Sequence, residues 1–429
     1  MTVAQVYATH DEVFPGLSSD FGEFKRIVKR LSRTDALLWC GRINLHLGYP
    51  LRHDAVEVQR ALVETFFEPD EVARLRVLAR SRAGGVQVIF RGQVLELIRW
   101  VVLLASDAEY DGKCFENPAA RRDFSRAGLM ASDIWARRVY PHDLSLEGGV
   151  DRARERALES LRRSTMENSS GPHPWLNLAR GALVFERMTQ ASAELPEIFN
   201  DQVGLTPKEY FSALAFFLLF GFGKSLHDLK NPDASGLLNL DSLATSAGPI
   251  GRITSGYLEK EAQSPNELRR AMWGHATDAD EERAGDFDLN VLRAKPILRA
   301  GGRGVILDPV LFAERATAGP LFYLVSSGRG HGADWLARFG DAFEAHALDA
   351  MSRAFPPSSG PLQRFFPRAP GTNRSKQDVE LADGVLLDVQ DAVFFEMKAA
   401  WMNERNASVV DSPELYLAQI RRRLARRGT

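Results

Sequence analysis

The segment FFEMKAAW, residues 394–401, places one carboxylate and one amine inside an apolar run. Side chains alternate along a β-strand, so Glu396 and Lys398 project from the same face if this segment is extended. A lysine beside a carboxylate can orient or deprotonate a metal-bound water, or neutralise the charge of a phosphoryl group under attack. The pair therefore predicts hydrolytic chemistry at this strand.

A second carboxylate, Asp383, lies in the sequence ADG, which favours a turn and precedes the apolar run GVLLD. If GVLLD and VFFEMK form a hairpin that turns around residues 389–391, Asp383 comes close to Glu396. Two converging carboxylates form an oxygen-rich site suited to Mg²⁺ or Mn²⁺. Asp378 and Asp388 are alternatives to Asp383, although Asp388 lies close to the predicted turn.

The residue patterns that suggest a functional site also have non-catalytic interpretations. The Glu-x-Lys spacing also occurs at residues 23–25, on an amphipathic helix where we expect it to be solvated. For Glu396 and Lys398 the alternative is an exposed ion pair on an edge strand. The sequence FGFGKS at 220–225 is no phosphate-binding loop, because Leu218 stands where such a loop requires a glycine.

Two domains are predicted, with a boundary near residue 290. Residues 1–290 form a mainly helical domain that senses or binds nucleic acid or a partner protein. Within it, TPKEYFSALAFFLLF and SPNELRRAMW each begin with the residues of a helix capping box. Residues 291–429 form a domain of strands and helices, so the fold class is α+β.

In the second domain, KPILRAGGRGVILD predicts two strands joined by a glycine-rich turn, and LFYLVSS predicts one further strand. The sequence DWLARFGDAFEAHALDAMSRAF predicts a helix. A loop is expected over residues 356–375, before the two strands that carry the predicted site. The segment SPELYLAQIRRRLARR predicts a final basic helix.

The helix FGDAFEAHALDAM, the sequence ADG and the segment FFEMKAAW together resemble the PD-(D/E)XK nuclease superfamily, over roughly residues 295–429. The resemblance implies a restriction-endonuclease-like α/β domain with a small mixed sheet. It also implies that Asp383 and Glu396 bind the metal, that Lys398 is catalytic with them, and that Glu344 on the helix adds a metal contact.

The resemblance further implies an Mg²⁺-dependent nuclease that hydrolyses DNA, with RNA left open as a substrate, and a role in bacterial anti-phage defence. Gln419 would match a polar residue that some members carry on the following helix. Arg421, Arg422 and Arg426 can share one helix face and bind nucleic-acid phosphates. The alternative for these arginines is a solvated helix end, stabilised by the helix dipole.

One departure from the family pattern leaves a second function open. The family core continues into another strand after that helix, whereas this sequence ends at Thr429. Either LFYLVSS fills the sheet, or the chain is truncated, or a homo-oligomer or partner protein completes it. In the last case the protein is a nucleic-acid-binding or assembly subunit with an incomplete, inactive nuclease-like fold.

The composition bounds the remaining possibilities. The 429 residues are 45% hydrophobic and 26% charged, with a net charge of −2, so any nucleic-acid surface must be a local patch. Cys40 and Cys114 are the only cysteines, which excludes a disulfide framework and a cysteine-based zinc site. The longest apolar run, FSALAFFLLFGFG, is too short to span a bilayer. We therefore expect a cytoplasmic protein without a membrane partner.

Overall fold

A computed structural model describes residues 7–48, 55–82, 86–108, 116–139, 174–222, 237–246, 248–273, 290–328, 332–356, 363–372, 378–388 and 391–395. This part of the chain is mostly helical, with two small sheets. Its contacts divide it into two compact units. The first unit contains described residues up to Trp175 and those in Ser212–Arg315, and the second contains Leu176–Phe211 and the described residues from Ala316 onward.

Within the described residues, ten helices precede the first strand. They are α1 (His10–Val13), α2 (Phe21–Arg30), α3 (Arg33–Leu47), α4 (Ala55–Phe66), α5 (Pro69–Ser81), α6 (Arg91–Leu104), α7 (Pro118–Val139), α8 (Pro174–Ala191), α9 (Leu195–Val203) and α10 (Pro207–Phe222). Almost every residue of α3 and α6 is buried, so these two helices form the centre of the first unit.

Strands and helices alternate in the rest of the chain. The elements are β1 (Leu238–Asn239), α11 (Leu240–Ala244), α12 (Pro249–Glu261), β2 (Ala262–Gln263), α13 (Pro265–Trp273), α14 (Asn290–Ala294), β3 (Ile297–Ala300), β4 (Arg303–Ile306), α15 (Pro309–Ser326), α16 (Gly332–Ala354), β5 (Gln363–Thr372), β6 (Asp378–Asp388) and β7 (Asp391–Phe395).

The two capping boxes predicted from the sequence are confirmed. At the start of α10, the backbone N–H of Thr206 donates to Glu209 Oε2 at 2.9 Å, and the N–H of Glu209 donates to the Thr206 hydroxyl at 3.3 Å. Ser264 and Glu267 make the same reciprocal pair at the start of α13, at 2.7 and 3.2 Å. Local side chains thus satisfy backbone donors that the helix itself leaves without partners.

A four-stranded mixed sheet in the first unit has the order β1-β4-β3-β2. The predicted β3–β4 hairpin is confirmed, and its turn residues Gly301 and Gly302 both have positive φ, which glycine adopts without steric cost. The partner strands β1 and β2 precede residue 290, so residues on both sides of the predicted boundary share this sheet. The division into domains at residue 290 stays a prediction.

The prediction of a strand at LFYLVSS is wrong, because residues 321–326 are the end of α15. Asp308 caps this helix, since its carboxylate accepts a hydrogen bond from the N–H of Leu311 at 2.9 Å, and Pro309 is the first helical residue. The run is apolar on more than one side, so hydrophobic periodicity cannot separate a strand from a buried helix. This segment therefore does not extend the second sheet.

The second sheet is antiparallel among its described strands, with the order β5-β6-β7. Helix α16, which the sequence predicts, packs against β5 and β6. The prediction of a loop over residues 356–375 is wrong for residues 363–372, which form β5. Among the described strands β5 lies at the edge of the sheet, and it contains Pro367 and Pro370. Edge strands tolerate proline because one side of their backbone needs no partner.

The predicted turn at ADG is also wrong, because residues 382–384 lie inside the 11-residue strand β6. Gly384 serves a different purpose there. A Cβ atom at this position would stand 2.6 Å from Cε2 and Cζ of Phe365, so the ring of the neighbouring strand occupies the space of the missing side chain. The glycine is therefore explained by a close approach between strands rather than by chain reversal.

One close contact between elements stands out in each unit. In the second unit, a Cβ at Gly181 on α8 would stand 2.1 Å from the carbonyl oxygen of Ala316 on α15, so the two helix backbones touch there. In the first unit, the buried Arg315 donates two hydrogen bonds to the buried carboxylate of Glu261, at 2.8 and 2.7 Å.

No single helix within the described residues has the length and apolar character needed to cross a membrane. One pair of helices, Leu195–Val203 with Pro207–Phe220, passes the same test only when taken together, and it is bent by 53°.

Candidate functional site

Asp383 lies on the central strand of the second sheet and is only 2% exposed. Burying a carboxylate costs free energy unless charged or hydrogen-bonding groups surround it, so this position is unusual for an aspartate. Asp388, an alternative metal ligand, pairs with Asp391 directly beside the hairpin turn. The sequence predicted this position close to the turn. The other alternative, Asp378, begins β6 opposite Thr372. Strand position therefore favours Asp383.

The hairpin between β6 and β7 has the expected register. Its described pairs run from Asp388 with Asp391 to Gly384 with Phe395. Glu396 and Lys398 follow directly and lie outside the described residues, so their predicted roles stay predictions. The last described pair is Gly384 with Phe395, and the next pair in the same register would be Asp383 with Glu396.

Aromatic rings hold the two strands beside this point. Phe395 pairs with Gly384, and its ring centroid lies 6.2 Å from that of Phe365. A Cβ at Gly384 would also lie 3.8 Å from Leu348 of α16, so this face of the sheet is turned toward the helix. Side chains alternate along a strand, so Asp383 projects from the opposite face of β6. The aromatic contacts fix the strand spacing while leaving that face to the carboxylate.

Glu344 lies on α16 and contacts a residue that the sequence analysis missed. Its Oε1 lies 3.9 Å from Nη2 of Arg368 on β5. The side chains of Glu344 and Arg368 are 25% and 68% exposed, and an ion pair this open to solvent contributes little to stability. The metal role of Glu344 stays a prediction. Its helix packs on the face of the sheet opposite to that of Asp383, which does not favour a shared metal ion.

The backbone of Arg368 is exceptional. Its φ of +51° is the only positive φ of a non-glycine residue in the described part of the chain. Its neighbours Pro367 and Ala369 pair with Gly384 and Ala382, so Arg368 stands across from Asp383. The register between β5 and β6 shifts further along, since Ala369 pairs with Ala382 and Pro370 pairs with Glu380. The extra residue at this bulge is Leu381 of β6, and no local sequence signal indicates it.

The residues of the predicted nucleic-acid-binding helix lie outside the described part of the chain. Gln419, Arg421, Arg422 and Arg426 all lie outside the described residues, so a nucleic-acid contact on the final helix stays a prediction. Among the described residues, no three His, Cys, Asp or Glu side chains lie close enough together to hold a metal ion. The predicted metal ligands include Glu396, which lies outside the described residues, so this absence does not test the predicted metal site.

Two other reactive side chains have environments that explain them. Burial raises the pKa of the Cys40 thiol, so this cysteine is an inert core residue. The pKa of His346 on α16 is lowered from 6.5 by burial first, and then by Arg187, Arg353 and Arg180, while Asp349 raises it. A histidine among three arginines is a poor metal ligand.

A cavity of about 500 Å³ lies within the first unit, beside the β3–β4 turn and α12. Its polar lining includes Asp241, Glu259 and Arg299. No predicted site residue lines this cavity, so it does not bear on the strand-borne site.

No protein-family model, no curated protein and no solved structure matches the chain.

Proposed function

We propose that the chain is a metal-dependent nuclease whose site is built on β6 and the strand that follows the hairpin. The observation that carries the proposal is the register of that hairpin, together with the burial of Asp383. If the ladder continues by one residue, Asp383 and Glu396 become cross-strand neighbours with their side chains on one face. Their oxygens would bind Mg²⁺ or Mn²⁺, which favour carboxylate ligands.

The order of elements gives further support. A helix with a glutamate, three antiparallel strands, an aspartate on the middle strand and Glu-x-Lys after the third strand resemble the PD-(D/E)XK nucleases. The metal would polarise the scissile phosphate and activate a water molecule. Lys398 would orient that water or neutralise charge that develops on the phosphoryl oxygens. Strand pairing favours Glu396 over Glu344 as the metal partner of Asp383.

The test is cleavage by the purified chain of plasmid, linear and single-stranded DNA and of RNA, with Mg²⁺, with Mn²⁺ and with EDTA. We expect metal-dependent hydrolysis that is lost in Asp383→Asn, Glu396→Ala and Lys398→Ala. Asp391→Asn is the matched control, because Asp391 is an exposed carboxylate in the same hairpin and should not affect cleavage. Wild-type rates in Lys398→Ala, or cleavage in EDTA, would refute the mechanism.

The second function, an inactive nucleic-acid-binding or assembly subunit in the cytoplasm, predicts a different outcome of the same experiment. The chain would bind nucleic acid without any metal-dependent cleavage. A subunit of this kind would act together with a second copy or with a partner protein. Sedimentation of the purified chain distinguishes a monomer from an oligomer.

A further inference from the structure

We propose that a face formed by α2 and the start of α7, in the first unit, binds the sugar-phosphate backbone of a nucleic acid. The choice of nucleic acid as the partner rests on the proposed function, whereas the face itself involves no residue of the candidate site. The net charge of the chain is −2, so such a face requires a local concentration of cations. We call this face the basic surface, and its cations are Lys25, Arg26, Lys29 and Arg30 of α2 and Arg122 and Arg126 of α7.

The crowding of like charges is the first observation. The ten residues of α2 contain four cations and a single carboxylate, Glu23. Helix α7 packs against α2 and brings further arginines to it. The pKa of Arg126 is lowered by burial first; Asp123 raises it, and three neighbouring cations lower it, namely Arg122, Arg30 and Arg26. These arginines repel one another across the two helices, and an anion bound above them would relieve that repulsion.

The layering of the charges is the second observation, because the carboxylates of this region lie beneath the cations that they bind. Glu23 forms an ion pair with Arg26, and its Oε1 lies 3.3 Å from Nη2 of Arg126. The Glu23 side chain is only 9% exposed, whereas that of Arg26 is 69% exposed. Glu71 of α5 accepts a hydrogen bond from Arg122 at 2.9 Å, and these two side chains are 1% and 49% exposed. The outer layer of this face is therefore cationic.

The ion pairs also hold the arginines in position. Arg30 donates two hydrogen bonds to Asp123, at 2.8 and 2.7 Å, and so links α2 to α7. A guanidinium has five N–H donors, so two of them can bind the carboxylate while others remain for a phosphate. Side chains that are fixed before binding lose little conformational entropy when the ligand arrives. Lys29 is exposed and has no ion-pair partner among the described residues, so its ammonium group is open to a ligand as well.

An anionic membrane is the main alternative partner for a basic helix. Helices that bind a bilayer surface insert apolar side chains next to their basic residues. No large apolar side chain is exposed on α2 or on residues 118–134 of α7. This arrangement favours a nucleic-acid backbone, which cations bind through charge without apolar insertion.

The test is a double substitution of exposed cations on α2, Arg26→Gln with Lys29→Gln. Glu23 keeps its contact with Arg126 in this variant, so the urea midpoint of unfolding should not change. Binding to duplex DNA should weaken by at least about tenfold, and the slope of log affinity against log salt should fall by about 2. Lys29→Gln alone has no ion pair to lose, and it should lower the slope by about 1.

The matched control is Arg252→Gln with Lys260→Gln on α12 of the same unit. It removes one arginine and one lysine, so the net charge changes by the same amount as in the test variant. Binding is measured by fluorescence anisotropy of short labelled duplex DNA, single-stranded DNA and RNA over a range of salt concentrations, in EDTA so that cleavage cannot interfere. Sedimentation with phosphatidylserine vesicles tests the membrane alternative. We expect the control to bind nearly as well as the wild-type chain, and the vesicles to bind neither.

The outcomes separate this inference from the nuclease proposal. Unchanged affinity and salt slope in the α2 variants, in a chain that cleaves, would overturn the basic surface and leave the nuclease standing. Weaker binding confined to the α2 variants, in a chain that never cleaves, would support the basic surface and refute the nuclease. An equal loss of affinity in the α12 control would attribute binding to net charge and overturn the inference. Vesicle binding by a wild-type chain that binds neither DNA nor RNA would overturn it too.

Discussion

Replacing Gly384 by alanine tests whether the ring of Phe365 sets the spacing of the strands that carry the candidate site. The added Cβ would stand 2.6 Å from two ring carbons of Phe365, whereas ordinary contacts begin at 3.4 Å. The ring must therefore retreat by roughly 1 Å, against its packing on Phe395. We expect this strain to cost about 1–3 kcal/mol.

Part of that cost is offset by the unfolded chain. Alanine has less backbone freedom than glycine, which stabilises the folded state by about 0.4–1 kcal/mol where the conformation permits it. Gly384 does not have positive φ, so that condition is met. The net loss for Gly384→Ala should therefore be about 1–2 kcal/mol.

A double-mutant cycle identifies the cause. Leucine lacks the two ring carbons that the new methyl group would meet, so Gly384→Ala should cost much less in a Phe365→Leu background. Residues in contact show coupling energies of roughly 0.5–3 kcal/mol, and we expect at least about 1 kcal/mol here. Hydrogen exchange of the β6 amides reports this sheet specifically, and urea unfolding supplies the free energies. Additivity of the two substitutions would refute the steric explanation.

Three further predictions test the packing and its pH dependence. Gly181→Ala should destabilise by about 1–3 kcal/mol because a helix backbone blocks the new methyl group, whereas Gly340→Ala on α16 has open space and should stabilise by about 0.5–1 kcal/mol in urea unfolding. Glu261→Leu should cost about 3–5 kcal/mol by leaving Arg315 buried without its counter-ion, and adding Arg315→Met should restore most of the loss of melting temperature. The pKa of His346 is lowered in the folded chain, so the contribution of this histidine to stability is present above pH 6.5 and is lost as the pH falls through the folded pKa. The unfolding free energy of His346→Gln should therefore depend less on pH in that window than the unfolding free energy of the wild-type chain. An unchanged pH dependence would contradict this prediction.

Local signals explain the parts of the fold that the sequence predicted. The capping boxes at Thr206 and Ser264 involve residues three positions apart, so the sequence alone carries the whole interaction. The hairpin of β6 and β7 is likewise a short-range structure, and its register depends on a two-residue connection. These elements need no information about the rest of the chain.

The wrong predictions all depend on distant contacts. The end of α15 carries apolar residues on its exposed side as well, Phe322 and Val325, so its sequence shows no helical periodicity. Its helical state follows from the cap at Asp308 and from tertiary packing. The glycine of ADG is required by Phe365, which lies 19 positions earlier in the chain. Strand β5 was missed because its prolines indicate a loop, and only the sheet shows that they lie on an edge.

The same reasoning applies to the candidate site. Asp383 could be chosen over Asp388 from the sequence, because distance from a hairpin turn is a local property. The bulge at Leu381 of β6 could not be predicted, since it depends on the pairing with β5.

The effect of Asp383→Asn on stability distinguishes a metal ligand from a structural ion pair at this buried position. A carboxylate held by a permanent cation stabilises the fold, so Asp383→Asn would cost several kcal/mol, because it leaves a buried charge without its counter-ion. A carboxylate kept for a metal is destabilising while the metal is absent, so in EDTA the same substitution should be neutral or stabilising. Adding Mn²⁺ should then raise the melting temperature of the wild-type chain and leave that of Asp383→Asn unchanged. A large loss of stability in EDTA, without any response to Mn²⁺, would assign Asp383 to the architecture of the sheet and remove the basis of the nuclease proposal.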